Sequence, residues 1–185
     1  FETDLAPLES LADTAARIGV ERFVLDDGWF GGRRHDRAGL GDWVVSTDVW
    51  PEGMGPLVDH VKGLGLEFGL WFEPEMVNED SDLVREHPEW VLRPAAGSPR
   101  EWRWQQLVDL TNEAAFEQLL ERISGLVTDI GIDYIKWDHN RDLHEAVRSD
   151  GSGTDRPAVH AQTLATYRLL DELRARHPDL EIESC

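Results

Sequence analysis

A chain of 185 residues with 41% hydrophobic content can bury one sizeable core, and its composition is neither collagen-like nor disordered. Its 37 acidic residues against 18 basic ones give a formal net charge of -19, a surface that repels phosphate backbones and anionic lipid, so no nucleic-acid or membrane partner is expected. The one cysteine, Cys185, excludes an internal disulfide and suits a reducing, cytoplasmic setting; no run of 18 apolar residues occurs, and residues 1–10 carry three acidic side chains where an export signal would need basic ones.

Taken in order, the chain alternates between helical and strand patterns. Leu8, Leu11, Ala12, Ala15 and Ile18 recur at helical spacing and stop at Gly19, which predicts a helix over 8–18. Residues 20–25 read as a short buried strand that runs into Asp26-Asp27-Gly28-Trp29-Phe30-Gly31-Gly32. Residues 33–55, rich in glycine and carrying Trp43 and Trp50, read as a long loop over the strand ends. A helix over 56–63, with Pro56 in its first turn, precedes an apolar strand over 66–72 that ends at Trp71-Phe72-Glu73-Pro74-Glu75. Ser81 caps a brief helix stopped by Pro88, and residues 89–103 are irregular. A minimal strand over 107–110, an amphipathic helix over 112–130 ending at Gly131, and a strand over 132–137 follow. After a loop over 149–156 rich in Gly, Ser and Asp, a long helix over 158–177 is broken by Pro178, and residues 180–183 form a final strand.

Five strand and helix alternations, with strands too apolar to face water, predict a parallel sheet covered by helices. No Gly-x-Gly-x-x-Gly loop follows any strand, whereas polar and aromatic residues follow every one: Asp26, Asp27 and Trp29; Trp71 and Glu73; Asp109; Lys136, Trp137 and Asp138; Glu183 and Cys185. That distribution belongs to the C-terminal face of a (β/α)8 TIM barrel. A whole barrel needs about 250 residues and eight strands. Residues 1–185 are therefore expected to be the central part of one catalytic barrel domain, truncated at both ends.

The densest cluster is Tyr134-Ile135-Lys136-Trp137-Asp138-His139-Asn140-Arg141. A strand cannot bury a cation, an indole and a carboxylate on one apolar face, so these residues belong at a strand end, where side chains meet a ligand. The plainer reading makes Lys136 and Asp138 an exposed ion pair of little consequence. Lys136 could also form a Schiff base, as in an aldolase. Asp26, Asp27, Glu73 and Glu75 could hold Mg²⁺ or Ca²⁺, but no phosphate-binding motif accompanies them, and no metal or cofactor is expected. Of the eight tryptophans, Trp43, Trp50, Trp90 and Trp104 are assigned to packing or subunit contacts.

Phe23-Val24-Leu25-Asp26-Asp27-Gly28-Trp29-Phe30-Gly31, Gly69-Leu70-Trp71-Phe72-Glu73-Pro74-Glu75-Met76-Val77, His87-Pro88-Glu89-Trp90 and the octet ending at Arg141 closely resemble, in order and spacing, the bacterial α-galactosidases of glycoside hydrolase family 36. The resemblance covers essentially the whole chain. It implies a retaining α-galactosidase acting on α-galactoside oligosaccharides, a homo-oligomer in which family members are often tetramers, and Asp138 as the catalytic nucleophile. It further implies that Asp26, Asp27, Lys136, Trp71 and Arg103 bind the sugar, Arg103 with altered neighbours in Trp104 and Gln105. Cys185 matches the cysteine of a Glu-Ser-Cys turn and is expected among the sugar-binding residues too. The family's general acid/base, an aspartate on a later strand, has no match here, so residues 1–185 alone are expected to be inactive. A non-catalytic sugar-binding remnant is the remaining alternative.

The residues support these implied roles physically. Lys136 and Asp138, two apart on a strand, point to one side, where the ammonium favours an ionised nucleophile. Vicinal carboxylates can accept bonds from adjacent sugar hydroxyls, and the Trp71 indole can cover an apolar ring face.

Overall fold

The computed structural model describes residues 3–96, 102–144, 146–149 and 153–185. Helix α1 (Leu5–Arg17) buries Ala12 and ends at Gly19, whose φ of 84° lets the chain reverse into β1 (Arg22–Leu25). After the long loop come α2 (Gly55–Gly63) and β2 (Glu67–Phe72), then the three-residue β3 (Met76–Asn78). Helix α3 (Asp82–Glu86) is capped by Ser81, whose hydroxyl accepts the Val84 N–H. Strand β4 (Gln105–Leu107) leads to α4 (Glu113–Leu126), capped by Asn112 and finished by one wide turn over Val127–Gly131. Strand β5 (Tyr134–Trp137) follows, then β6 (Val147–Ser149), β7 (Asp155–Pro157), α5 (Val159–Arg176) and β8 (Glu181–Ser184).

Four strands form one parallel sheet in the order β1-β2-β5-β8, each pair in register through Leu25↔Leu70, Leu70↔Ile135 and Ile135↔Ile182. The expected fifth strand, at 107–110, is not in it. Strand β2 pairs directly with β5, and β4 instead pairs antiparallel with β3 through Val77↔Gln106. The cause lies in the backbone after residue 107: the Val108 N–H bonds to the Glu75 carbonyl and the Asp109 N–H to the Trp90 carbonyl, so this segment finds its partners in the excursion between β2 and β5. The expected loop over 149–156 is likewise closed by a β6–β7 ribbon, while residues 150–152 lie outside the described residues.

The strands are apolar on one face only. Phe23, Leu25, Phe68, Leu70, Phe72, Ile135 and Trp137 are buried in the main core. Alternate positions carry Arg22, Glu67, Tyr134, Lys136, Glu181 and Glu183, contrary to the expectation of wholly apolar strands. On that second face Arg22 bonds Glu67 and Glu181 and lies over the Tyr134 ring, whose hydroxyl donates to Glu183 at 2.7 Å. Gly69 makes room there: a Cβ on it would stand 2.8 Å from Val24 Cγ2 and 3.1 Å from the Tyr134 carbonyl oxygen. No helix among the described residues is long and apolar enough to cross a membrane.

Candidate active site

The polar face leads upward to the C-terminal strand ends. In the register Trp71↔Lys136↔Glu183, successive strands place an indole, an ammonium and a carboxylate side by side, and Asp138 and Cys185 follow two residues later on the same side. Asp26 leaves β1 one residue beyond its last paired rung. These strand ends, the loop after β1 and the β3–β4 ribbon enclose a cavity of about 460 Å³ lined by Asp26, Asp27, Arg33, Asp36, Trp71, Glu73, Arg103, Gln105, Asp138 and Asn140.

Asp138 is surrounded by donors. Trp71 Nε1 reaches Oδ2 at 3.0 Å and Asn140 Nδ2 reaches the same oxygen at 2.6 Å, while the His139 N–H donates to Oδ1 at 2.8 Å. The Cys185 thiol lies 3.7 Å from Oδ1. Partial burial acts to raise the Asp138 carboxyl, but the Trp71, Asn140 and His139 donors and then the Lys136 charge outweigh it, and the group is held below the ordinary carboxylate range. The expected Lys136–Asp138 pairing is thus a minor contribution. Lys136 Nζ is bonded to Asp26 Oδ2 at 2.7 Å, and this bond raises the ammonium above its usual range.

Trp71 departs from its expected part as a platform for a sugar ring. It is only 2% exposed, packed beside Phe30 and Trp43, and it presents its N–H to the site. Trp71→Phe keeps most of this packing and removes the donor. The result expected is a loss of about tenfold in kcat/KM at neutral pH, the worth of one bond to a charged group. The acid limb of the pH profile should also move to higher pH, because the ionised form of Asp138 loses support. An unmoved limb would show that the indole does not set this carboxylate.

The remaining expected residues are placed as follows. Asp27 is gripped by the fork of Arg33, through Nε at 2.9 Å and Nη2 at 2.7 Å; Arg33 itself is only 3% exposed. Arg103 reaches the cavity and donates to Asn140 Oδ1 at 2.7 Å. Arg103 and Trp104 form a tight reversal with φ of 55° and 58°, closed by the Gln105 N–H on the Trp102 carbonyl at 3.0 Å. Trp104 is 42% exposed with the Arg37 guanidinium over its ring, so it is not core, whereas Trp43, Trp50 and Trp90 are buried. Asp109 is drawn away from the cavity, bonded to Arg148 and Thr111.

Asn140, Gln105 and Arg33 join the site beyond the residues the sequence singles out, and Glu73, a strand-end carboxylate read above only as a possible cation ligand, lines it with them. Glu73 accepts the Asn140 N–H at 2.6 Å and Gln105 Nε2 at 2.9 Å; burial pushes its carboxyl up, and these two bonds oppose that push. The local signal for Asn140 was its place two residues after Asp138, on the same side of the chain. Glu75, just beneath, accepts from Trp137 Nε1, His139 Nδ1 and Thr166 Oγ1. No cluster of metal-ligating residues occurs among the described residues.

A parallel sheet that gathers its polar side chains at the strand C-termini, around an ionised carboxylate, is the arrangement of barrel enzymes. The chain belongs to the melibiase family, whose sequence profile matches residues 1–185. It is 47% identical to an α-galactosidase of Escherichia coli over 175 residues, 95% of this chain and 24% of that protein. Among solved structures, a variant of the GH36 α-galactosidase AgaA of Geobacillus stearothermophilus in complex with 1-deoxygalactonojirimycin superposes with a TM-score of 0.93 at 40% identity, covering 100% of this chain and 26% of that one. A second AgaA variant, in complex with stachyose, superposes with a TM-score of 0.92 at 39% identity and the same coverage. The fold is part of a barrel, and the chain spans about a quarter of the length of these relatives.

Proposed function

We propose that the protein carrying this chain is a retaining α-galactosidase that removes terminal α-galactosyl residues from oligosaccharides through a covalent galactosyl–aspartate. The observation that carries this reading is Asp138, kept ionised by three hydrogen bonds at the edge of a cavity lined with paired charges. In this reaction Asp138 attacks the anomeric carbon as the bond to the leaving oxygen breaks, giving a β-linked ester. Water then displaces the aspartate and restores the α configuration. Asp26, Asp27, Lys136 and Arg103 read the sugar hydroxyls, and a sugar that left them unpaired would be rejected strongly.

The general acid/base lies outside residues 1–185 in this reading. Of the lining carboxylates, Asp26, Asp27 and Glu73 are engaged by Lys136, Arg33 and the Asn140–Gln105 pair respectively. The Schiff-base alternative loses support, since its lysine must lose a proton and Asp26 holds that proton on Lys136. The ligands named for AgaA, stachyose and a galactose-like iminosugar, agree with an α-galactoside substrate. The deciding experiment follows hydrolysis of an aryl α-galactoside by the full-length protein with proton NMR. The α anomer of galactose should appear first; first release of the β anomer would overturn the galactosyl–aspartate, and no release would overturn the activity.

A further inference from the structure

Asn78 sits at the end of β3, and its residue is 0% exposed. Its side-chain amide has two donor hydrogens and an oxygen with two lone pairs, and all are used. Oδ1 accepts from Arg33 Nη1 at 3.0 Å and from the Leu40 N–H at 2.9 Å. Nδ2 donates to the Asp36 carbonyl at 3.3 Å and to the Trp104 carbonyl at 2.8 Å. The main chain is fixed as well: the Asn78 N–H bonds to the Leu40 carbonyl, and the Ser81 hydroxyl donates to the Asn78 carbonyl.

These partners belong to two separate walls of the cavity. Arg33 is the group that grips Asp27, on the loop after β1. Trp104 is the second residue of the left-handed turn that aims Arg103 at the cavity from the other side. Positive φ at two successive non-glycine residues is strained, so the turn needs outside support, and the Asn78 bond to the Trp104 carbonyl supplies some. We propose that Asn78 is the positioning residue that sets the spacing between Asp27 and Arg103, the two groups that close on the substrate from opposite walls. It touches neither substrate nor reacting atoms and acts through Arg33 and the turn. This inference rests on the galactosidase reading above.

Asn78→Asp separates the two arms. Its retained oxygen still accepts from Arg33 and Leu40, whereas the second oxygen, in place of Nδ2, faces the carbonyls of Asp36 and Trp104. The turn is released while Asp27 stays gripped. In the full-length protein, kcat/KM for an aryl α-galactoside should fall by about 10²-fold, as for other small misplacements in a site. The same substitution made on top of Arg103→Ala should then change kcat/KM by less than about threefold, because no guanidinium remains to be aimed. Equal losses in the two backgrounds would reduce Asn78 to a general fold determinant and overturn the proposal, as would near-normal activity in Asn78→Asp alone. Should the aspartate variant not fold, Asn78→Ser, neutral and too short to span both walls, releases Arg33 as well as the turn; its loss should then shrink in the Arg103→Ala background without vanishing, and equal losses in the two backgrounds would again overturn the proposal. Absence of turnover by the wild type would instead remove the galactosidase reading, and this inference with it.

Discussion

Replacement of Asp138 by alanine is expected to lower turnover of an aryl α-galactoside by on the order of 10⁴-fold or more while circular dichroism of the protein is unchanged. On the proposed reading the substitution removes the nucleophile and with it the covalent route, and the binding groups that remain recover only a small part of the acceleration. Asp138 lies beyond the end of β5, where its side chain faces the cavity and its removal leaves Trp137 and the core beneath in place. Added azide should occupy the space of the lost carboxylate, attack the same face of the anomeric carbon and yield the β-galactosyl azide. Activity in Asp138→Ala within tenfold of the wild type, measured after excluding contaminating wild-type protein, would remove Asp138 from the reaction.

The largest effect on stability is expected from Glu75→Leu. This carboxylate is buried beneath the site and is the shared acceptor of Trp137, His139 and Thr166. Leucine fills similar volume but strands the indole N–H of Trp137, which is itself buried, and leaves His139 without its counter-charge. We expect a loss of about 3 kcal/mol, read as a lowered denaturation midpoint in urea. An unchanged midpoint would mean that the network contributes nothing net.

The Glu75–His139 pair also has a pH signature. Burial acts to raise the Glu75 carboxyl, but the bond and charge of His139, then the Thr166 and Trp137 bonds, bring it below its ordinary 4.5; the bond to Glu75 raises His139 above 6.5. A depressed carboxyl stabilises above its unfolded value, and that contribution fades as pH falls through the folded one. A raised imidazole stabilises below its unfolded value, and that contribution fades as pH rises through the folded one. The pair therefore contributes fully between about pH 4.5 and 6.5. The Glu75→Leu deficit should be largest in that window.

What could be read from the amino-acid order, and what could not, divides along the range of the interactions. Lys136 and Asp138 were visible because strand alternation and a polar break after an apolar run are local, and α4 was visible from Asn112 to Gly131 for the same reason. The place of β4 is not legible, because three residues carry no pattern that distinguishes an antiparallel partner in an excursion from a place in the main sheet. The polar second face of the sheet is hidden in the sequence, because Arg22, Glu67 and Glu181 are far apart along the chain and satisfy each other only once the strands align. Trp71 reads as a stacking residue from sequence because indoles commonly stack on sugars; its burial, and hence its use as a donor, comes from Phe30 and Trp43 in a loop with little periodicity. Asn78 and Arg33 carry no local mark at all, since each matters only where several loops converge.

The Arg103–Trp104 reversal has a consequence for anyone who would make this protein hardier. Two-residue reversals of this kind favour Asn-Gly, and a stability-driven redesign would choose that pair at once. It would relieve the backbone and delete the guanidinium that reaches Asn140 in the same stroke. On the proposed reading heat resistance and catalysis pull in opposite directions at this corner, so improved variants should be sought in the hydrophobic framework or at helix termini, with residues 103 and 104 withheld from the mutagenic library.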